Sequence, residues 1–170
     1  VLATSYTLAQ GIKKMGNFDV IICGLQTTDG DTAQVGPEVS EALDIPCVCN
    51  VAKIDKVEDN AIFVDMEMAH EFEQLKVQFP CLITVKKDIL QPRLPSYKLK
   101  KATEKREIAV YALKDMEDQD KNHYGLSGSA TQVQRIFPPV SDKEQETWTG
   151  SGAELADKLH GKLKQLKFIS

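Results

Sequence analysis

Hydrophobic positions along the chain switch between helical and strand periods. Leu8, Ile12 and Met15 recur at helical spacing with Lys13 and Lys14 on another face, so the chain opens inside a helix that Gly16 and Asn17 end. Phe18–Gly24 is a short apolar run suited to a strand buried on both faces. A second helix is expected to begin near Gly36 and Pro37, with Val39, Ala42 and Leu43 on one stripe and Glu38 and Glu41 turned to water. A strand follows near Pro46–Ile54. Short strands then take over at Ala61–Met68, Glu71–Phe79 and Cys81–Val85, with Glu58–Asn60 as a hairpin turn. Further on, Ile108–Leu113 reads as another strand and Lys114–Asn122 as a charged connector without an assignment. The last helix opens on a capping box, Ser151 to Glu154, and carries Leu155, Leu159, Leu163 and Leu166 along one face.

Helix, turn, strand, loop, helix predicts a doubly wound, Rossmann-like α/β fold with a mainly parallel sheet, an antiparallel section, and a C-terminal arm. The expected division is an α/β domain over 1–113 and an arm with its helix over 114–170. Because the chain opens inside a helix and without an initiator methionine, the first βαβ units are expected to be missing.

Composition narrows the function classes. With 170 residues, 42% of them apolar, the chain can build one sizeable core. A net charge of −4 argues against a nucleic-acid surface. No apolar run reaches the ~20 residues of a membrane helix and no signal segment opens the chain, so a cytoplasmic location without membrane contact is expected. Cys23, Cys47, Cys49 and Cys81 lie in or beside apolar stretches and read as core residues. The thiols of Cys47 and Cys49 are expected on opposite faces of their strand, so no zinc site is expected. His70 reads as a turn residue, and neither His123 nor His160 has a visible partner. Nothing resembles a triad, a metal helix or a carboxylate acid/base pair, so no catalytic residues are assigned.

The strongest chemical signal is the loop Gly24–Pro37 after the apolar strand. Gly24, Gly30 and Gly36 relax steric limits, Thr27, Thr28, Thr32 and Gln34 add donors, and the helix N-terminus behind them favours an anion such as phosphate. Gly30 is expected in a conformation that a Cβ would make costly. Asp29 and Asp31 either hold the turn through nearby backbone N–H groups or take a ribose hydroxyl, and the first role is preferred. The pattern is neither Gly-x-Gly-x-x-Gly nor a P-loop, so on chemistry alone a surface turn is an equal alternative.

The full string Asp29-Gly-Asp-Thr-Ala-Gln-Val-Gly-Pro37 closely resembles the beta subunit of electron transfer flavoprotein, in the group with a second flavin in that subunit. The resemblance implies that 1–113 is a nucleotide-binding α/β domain with a three-layer core, working as an alpha-beta heterodimer, with the N-terminal third of the usual subunit absent. It implies FAD, with AMP the alternative, at Gly24, Gln26, Asp29, Gly30, Thr32, Ala33, Gln34 and Val35. Electrons would come from NADH, and bifurcation to ferredoxin and an acyl-CoA-type acceptor is left open.

Lys86–Lys105 is basic within an acidic chain and stiffened by Pro92 and Pro95. A solvated loop is the ordinary reading, but Leu90, Leu94 and Tyr97 are apolar residues that a linker does not need. Gln91–Lys98 resembles the family's recognition loop, which implies docking to an acyl-CoA dehydrogenase-type partner through Leu90, Arg93, Leu94, Tyr97, Lys98 and Lys100. Tyr97 stands where the family has its inserted leucine. Gly125–Val133 reads as an extended arm in preference to a second anion turn, with a strand at Val133–Phe137 stopped by Pro138 and Pro139. That string resembles the family's tail, which reaches toward the alpha subunit. Two rivals stay open: a stand-alone ATP-binding, universal-stress-like module, and a structural subunit holding AMP alone.

Overall fold

The computed structural model describes residues 1–139 and 145–169, in two compact units, Val1–Gln132 and Val133–Ser170. The first unit holds a five-stranded sheet in the order β1-β5-β2-β3-β4: β1 Val20–Gly24, β2 Cys47–Glu58, β3 Ala61–Glu67, β4 Phe72–Gln78 and β5 Cys81–Val85. β1 and β2 pair with β5 in parallel, and β2, β3 and β4 pair antiparallel. Helices α1, Leu2–Met15, and α2, Val35–Leu43, pack on each other, and α2 also packs on β2 and β5.

Connectivity forces the sheet to curl. Gln78 pairs with Ala61 at the far end of the ribbon, yet Cys81, three residues later, pairs with Val20 beside the start of β2. Three residues reach at most about 11 Å, whereas a straight β2 would separate those levels by more than about 30 Å. β2 therefore bends, and its register slips between Val48 and Val51, Val51 and Lys53, and Ile54 and Lys56 mark where. The bend lays the ribbon over one face of β5. Val48, Val51, Ile62, Val64, Val77, Cys81 and Ile83 close a single core there, while Leu82 and Thr84 point the other way, toward α2. The doubly wound α/β expectation holds, with the ribbon supplying the layer opposite the helices.

Several expectations are corrected. In α1 the buried residues are Ala3, Ser5, Ala9 and Gln10, while Leu8 and Met15 are exposed. α1 packs against α2 and, through Tyr6 and Gln10, against Asp118, so burial follows those contacts rather than the larger side chains. Glu38 is half-buried, and its Oε2 has no hydrogen-bond partner among the described residues. Cys47 and Cys49 share a face, with their sulfurs 3.8 Å apart, because a strand's period of two brings residues i and i+2 together. Burial pushes the Cys47 thiol up to about 11. No group of three or more His, Cys, Asp or Glu suited to a metal occurs among the described residues. Ile108–Leu113 forms no strand: Ile108 is 87% exposed, since alternation without a sheet edge to join cannot satisfy the backbone. The segment after Gly125 is no simple arm either. It closes a turn in which the Gly128 N–H donates to the Tyr124 carbonyl at 3.1 Å, and Val133–Phe137 pairs with nothing described. In the second unit α4, Gly152–Gln165, starts on the expected capping box, with Ser151 and Glu154 bonding reciprocally.

His123 has a partner that its sequence context hides. Its Nδ1 lies 2.5 Å from Asp118 Oδ2, the same oxygen that accepts the Tyr6 hydroxyl. Tyr124 donates to the Asp118 carbonyl at 2.6 Å, and the Asp118 N–H donates to Gln10 Oε1 at 3.4 Å. Tyr6 meets the His123 and Tyr124 rings edge-on. This clasp ties residues 118–124 to α1. The Tyr6 hydroxyl, the Asp120 N–H and His123 hold the Asp118 carboxyl down at about 2, and Asp118 in turn raises His123. Asp118's contribution is present above its unfolded value near 4 and fades as pH falls toward 2. His123's contribution is present below its unfolded value near 6.5 and fades as pH rises through its raised folded value. Backbone amides of 118–124 should therefore be most protected from hydrogen exchange, after correction for intrinsic rates, between about pH 4 and 6.5. His123→Gln should remove the loss of protection on the alkaline side; unchanged pH dependence in that variant would count against the clasp.

Candidate functional site

The loop Leu25–Gln34 leaves the carboxyl end of β1, beside the carboxyl end of its parallel neighbour β5, where α/β sheets present ligands. It is anchored at its start by the Leu25 N–H, which donates to the Val85 carbonyl at 3.0 Å. Within it the Asp31 N–H returns to the Thr27 carbonyl at 3.2 Å, and the Gly30 N–H reaches Thr27 Oγ1 at 3.4 Å. The two carboxylates do different things. The expected role is to hold the turn through backbone N–H groups; the Thr27 hydroxyl, with the N–H groups of Gly30 and Asp29, draws the Asp29 carboxyl below its usual range. Asp31 departs from that role: its side chain is tied to the Gln26 amide, not to a backbone N–H.

The strained positions are also not where glycine would suggest. Gly30 lies outside the left-handed region, and a Cβ there would meet only Thr27 Oγ1 at an ordinary 3.6 Å. Asp31 and Ala33 instead carry φ of 49° and 52°. Ala33 in the left-handed region followed by Gln34 in the right-handed one, φ −95° and ψ −23°, is the alternation that turns successive N–H groups toward one point. α2 begins immediately after, at Val35, two residues earlier than Pro37 suggests; proline is tolerated here because first-turn N–H groups have no intrahelical partner anyway. No acceptor among the described residues takes the N–H groups of Ala33, Gln34, Val35 or Gly36. The result is a cradle of backbone N–H groups, a geometry suited to an anion.

A cavity of about 280 Å³ opens on this cradle and is lined by Gly24, Gln26, Thr32, Ala33, Gln34 and Val35 among the expected residues, together with Cys23, Leu25 and Thr27. Asp29 and Gly30 line neither this cavity nor its neighbour; they form the loop's exposed tip. The neighbour, about 690 Å³, lies along Gly24–Thr28 and Val85–Ile89 and adds Lys86 and Lys87. Lys86 is paired with Glu67 at 2.6 Å. These two lysines directly follow an apolar strand, and recognising that strand as the parallel neighbour of β1 is the signal that would have placed them.

The basic segment contains a short helix that its prolines conceal: α3, Tyr97–Thr103, capped by Ser96, whose side chain accepts the Leu99 N–H at 3.5 Å. Leu94 is 94% exposed and Tyr97 79%. Leu90 is also exposed, as are Arg93, Lys98 and Lys100.

Residues 1–116 match the electron transfer flavoprotein domain. The chain belongs to the electron transfer flavoprotein family, in its beta-subunit branch. It is 37% identical over 168 residues to the electron transfer flavoprotein subunit beta of Thermoanaerobacterium thermosaccharolyticum, covering 98% of this chain and 64% of that protein. It is 38% identical to the caffeyl-CoA reductase-Etf complex subunit CarD of Acetobacterium woodii, covering 98% and 63%. It is 34% identical to the protein FixA of Azorhizobium caulinodans, covering 86% and 54%. The chain thus spans less than two thirds of the length of these relatives. Family membership sets aside the universal-stress-like module. No helix among the described residues is long and apolar enough to cross a membrane.

The backbone geometry of the loop makes a contrast that unfolding in urea can check. Ala33→Gly should hold or raise stability, by up to about 1 kcal/mol, because glycine adopts the left-handed region without penalty. Ala33→Val should lower it by about 1 kcal/mol or more. Gly30→Val should stay within about 0.5 kcal/mol. A larger loss at Gly30 than at Ala33 would show that the turn is strained elsewhere.

Proposed function

We propose that this chain is the part of an electron transfer flavoprotein beta subunit that holds FAD at Gly24–Pro37. In this reading the subunit passes electrons between NADH, the flavin of an alpha subunit and an acyl-CoA dehydrogenase-type acceptor, with bifurcation to ferredoxin as its fullest form. The observation that carries the reading is the cradle: unpaired N–H groups from Ala33 to Gly36, turned together by the left-then-right alternation at Ala33 and Gln34, suit a nucleotide's phosphates. Bound there, the flavin would supply the redox chemistry. The chain would supply N–H donors at the cradle, a cavity wall at Gly24, Gln26 and Thr32, and a turn braced by Asp29, Gly30 and Asp31. Residues 114–170 would be the arm toward the alpha subunit, and the protein would work in the cytoplasm.

One observation favours a second reading, AMP without a beta flavin. The cavity of about 280 Å³ on the cradle is closer in size to a mononucleotide than to a whole dinucleotide. Visible absorption of the full-length subunit purified with its alpha partner separates the two. Two flavins per heterodimer are expected; one flavin with released AMP would establish the second reading, and neither nucleotide would overturn both.

The docking role is proposed for Leu90, Arg93, Leu94, Tyr97, Lys98 and Lys100. Their exposure suits a transient contact in which an apolar anchor supplies most of the energy and surrounding charge steers the encounter. Tyr97→Ala should slow electron transfer to the acceptor about tenfold at limiting acceptor, with flavin content and heterodimer formation unchanged. Charge reversal at Lys98 and Lys100 should matter most at low salt. A double alanine variant at Leu94 and Tyr97 with parental turnover at every ionic strength would remove this assignment.

A further inference from the structure

Thr84 lies under the cradle without lining its cavity. It is 1% exposed on the α2-facing side of β5, and its two branches are both committed. Its hydroxyl oxygen accepts the Asn50 N–H at 3.1 Å, at the register slip where Asn50 takes a left-handed φ of 56°. The slip removes that N–H from the ladder, so without Thr84 a part-buried donor would stand unpaired. The methyl branch does something else. A Cβ added at Gly36 would overlap Thr84 Cγ2 outright, with Leu82 Cδ2 at 3.4 Å and Cys23 Cβ at 3.8 Å just beyond. A β-branched side chain whose hydroxyl is held cannot rotate its methyl out of the way. Gly36 is the second residue of α2, so the methyl is the floor on which the first turn of that helix rests.

We infer that Thr84 and Gly36 are a size-matched positioning pair that sets how close the first turn of α2 comes to β5, and through it the aim of the cradle's N–H groups. The inference rests on the reading that the cradle holds a nucleotide's phosphate. Thr84 does not touch that phosphate in this account; Gly36 offers it an N–H and lets the helix descend, and Thr84 stops the descent. The separation matters because hydrogen bonds from a rigid backbone cradle weaken steeply when donors are misdirected.

The pair makes an unusual demand, that two substitutions together do less harm than one. The test uses the full-length subunit with its alpha partner, stripped of nucleotide and titrated separately with FAD and AMP. Gly36→Ala should weaken binding of the preferred nucleotide about tenfold or more, because overpacking against a stiff side chain lifts the helix turn. Thr84→Ser keeps the bond to Asn50 and should weaken binding about threefold or less. Gly36→Ala with Thr84→Ser should return affinity to within about threefold of the parent, since the methyl removed makes room for the methyl added. The visible spectrum of bound flavin should follow the same order. Thr84→Val, which loses the bond to Asn50, should lower the thermal midpoint; an unchanged midpoint would show that this bond does not hold Thr84 in place.

If Gly36→Ala does not fold, the double variant alone decides, because the pair requires it both to fold and to bind. Unchanged affinity in a folded Gly36→Ala variant overturns the pair while the nucleotide reading stands. A double variant that recovers the thermal midpoint but not the affinity also overturns it, by showing packing without positioning. A parent that binds neither FAD nor AMP overturns the nucleotide reading and this inference with it.

Discussion

Strand β5 is shielded on both faces, and each shield is built by a different part of the chain. Cys81 and Ile83 are covered by the curled ribbon of β2, β3 and β4, while Leu82 and Thr84 lie beneath the first turn of α2. Five residues therefore set two heights at once: where the core closes and where the cradle sits. The coupling runs through the backbone as well. The Val85 carbonyl holds the start of the loop through Leu25, and the Thr84 hydroxyl holds the register slip in β2 through Asn50. A buried strand that does this has little freedom, because a close-packed interior transmits a change on one face to the other.

The parts of the fold that could be read from the chain are those whose signals are local. Gly16 ends the first helix, the apolar runs at Val20 and Cys81 form strands, and the Ser151 box starts the last helix, whereas Cys81–Val85, grouped by its neighbours in sequence with antiparallel strands, pairs in parallel with β1 and β2. The parts that could not be read depend on residues far apart in the chain. Which face of α1 is buried depends on α2 and on residues 118–124, neither adjacent in sequence, so Ala3 and Ala9 are buried while Leu8 is exposed. Asp118 meets Tyr6 across 112 positions, and no spacing rule reaches that far. Alternation at Ile108 and Val110 describes a strand, but a strand also needs an edge to pair with.

The candidate site divides in the same way. Its place, after an apolar strand and before a helix, was legible from composition and order. Its conformation was not, because glycine permits a left-handed φ without requiring one. Asp31 takes that conformation while its carboxylate is tied to Gln26, and short polar side chains of this kind tolerate the region better than most. Gly36 is required for a different reason, the methyl of Thr84 beneath it, and that contact appears only once β5 is placed.

Charge poses the remaining question, since a loop with two carboxylates in a chain of net charge −4 is an odd place to receive phosphate. The geometry answers it through what each carboxylate is bonded to. Asp29 is held by the Thr27 hydroxyl and loop N–H groups at the exposed tip, where water screens its charge. Asp31 is engaged by the Gln26 amide, a partner on the loop's own entry segment. Both carboxylates stiffen the turn with groups that come before the cradle. The N–H groups from Ala33 onward stay uncommitted, and their dipoles, together with that of α2, set the local sign. On the proposed reading a phosphate at the cradle would meet backbone dipoles first, because the partners of both carboxylates lie earlier in the loop.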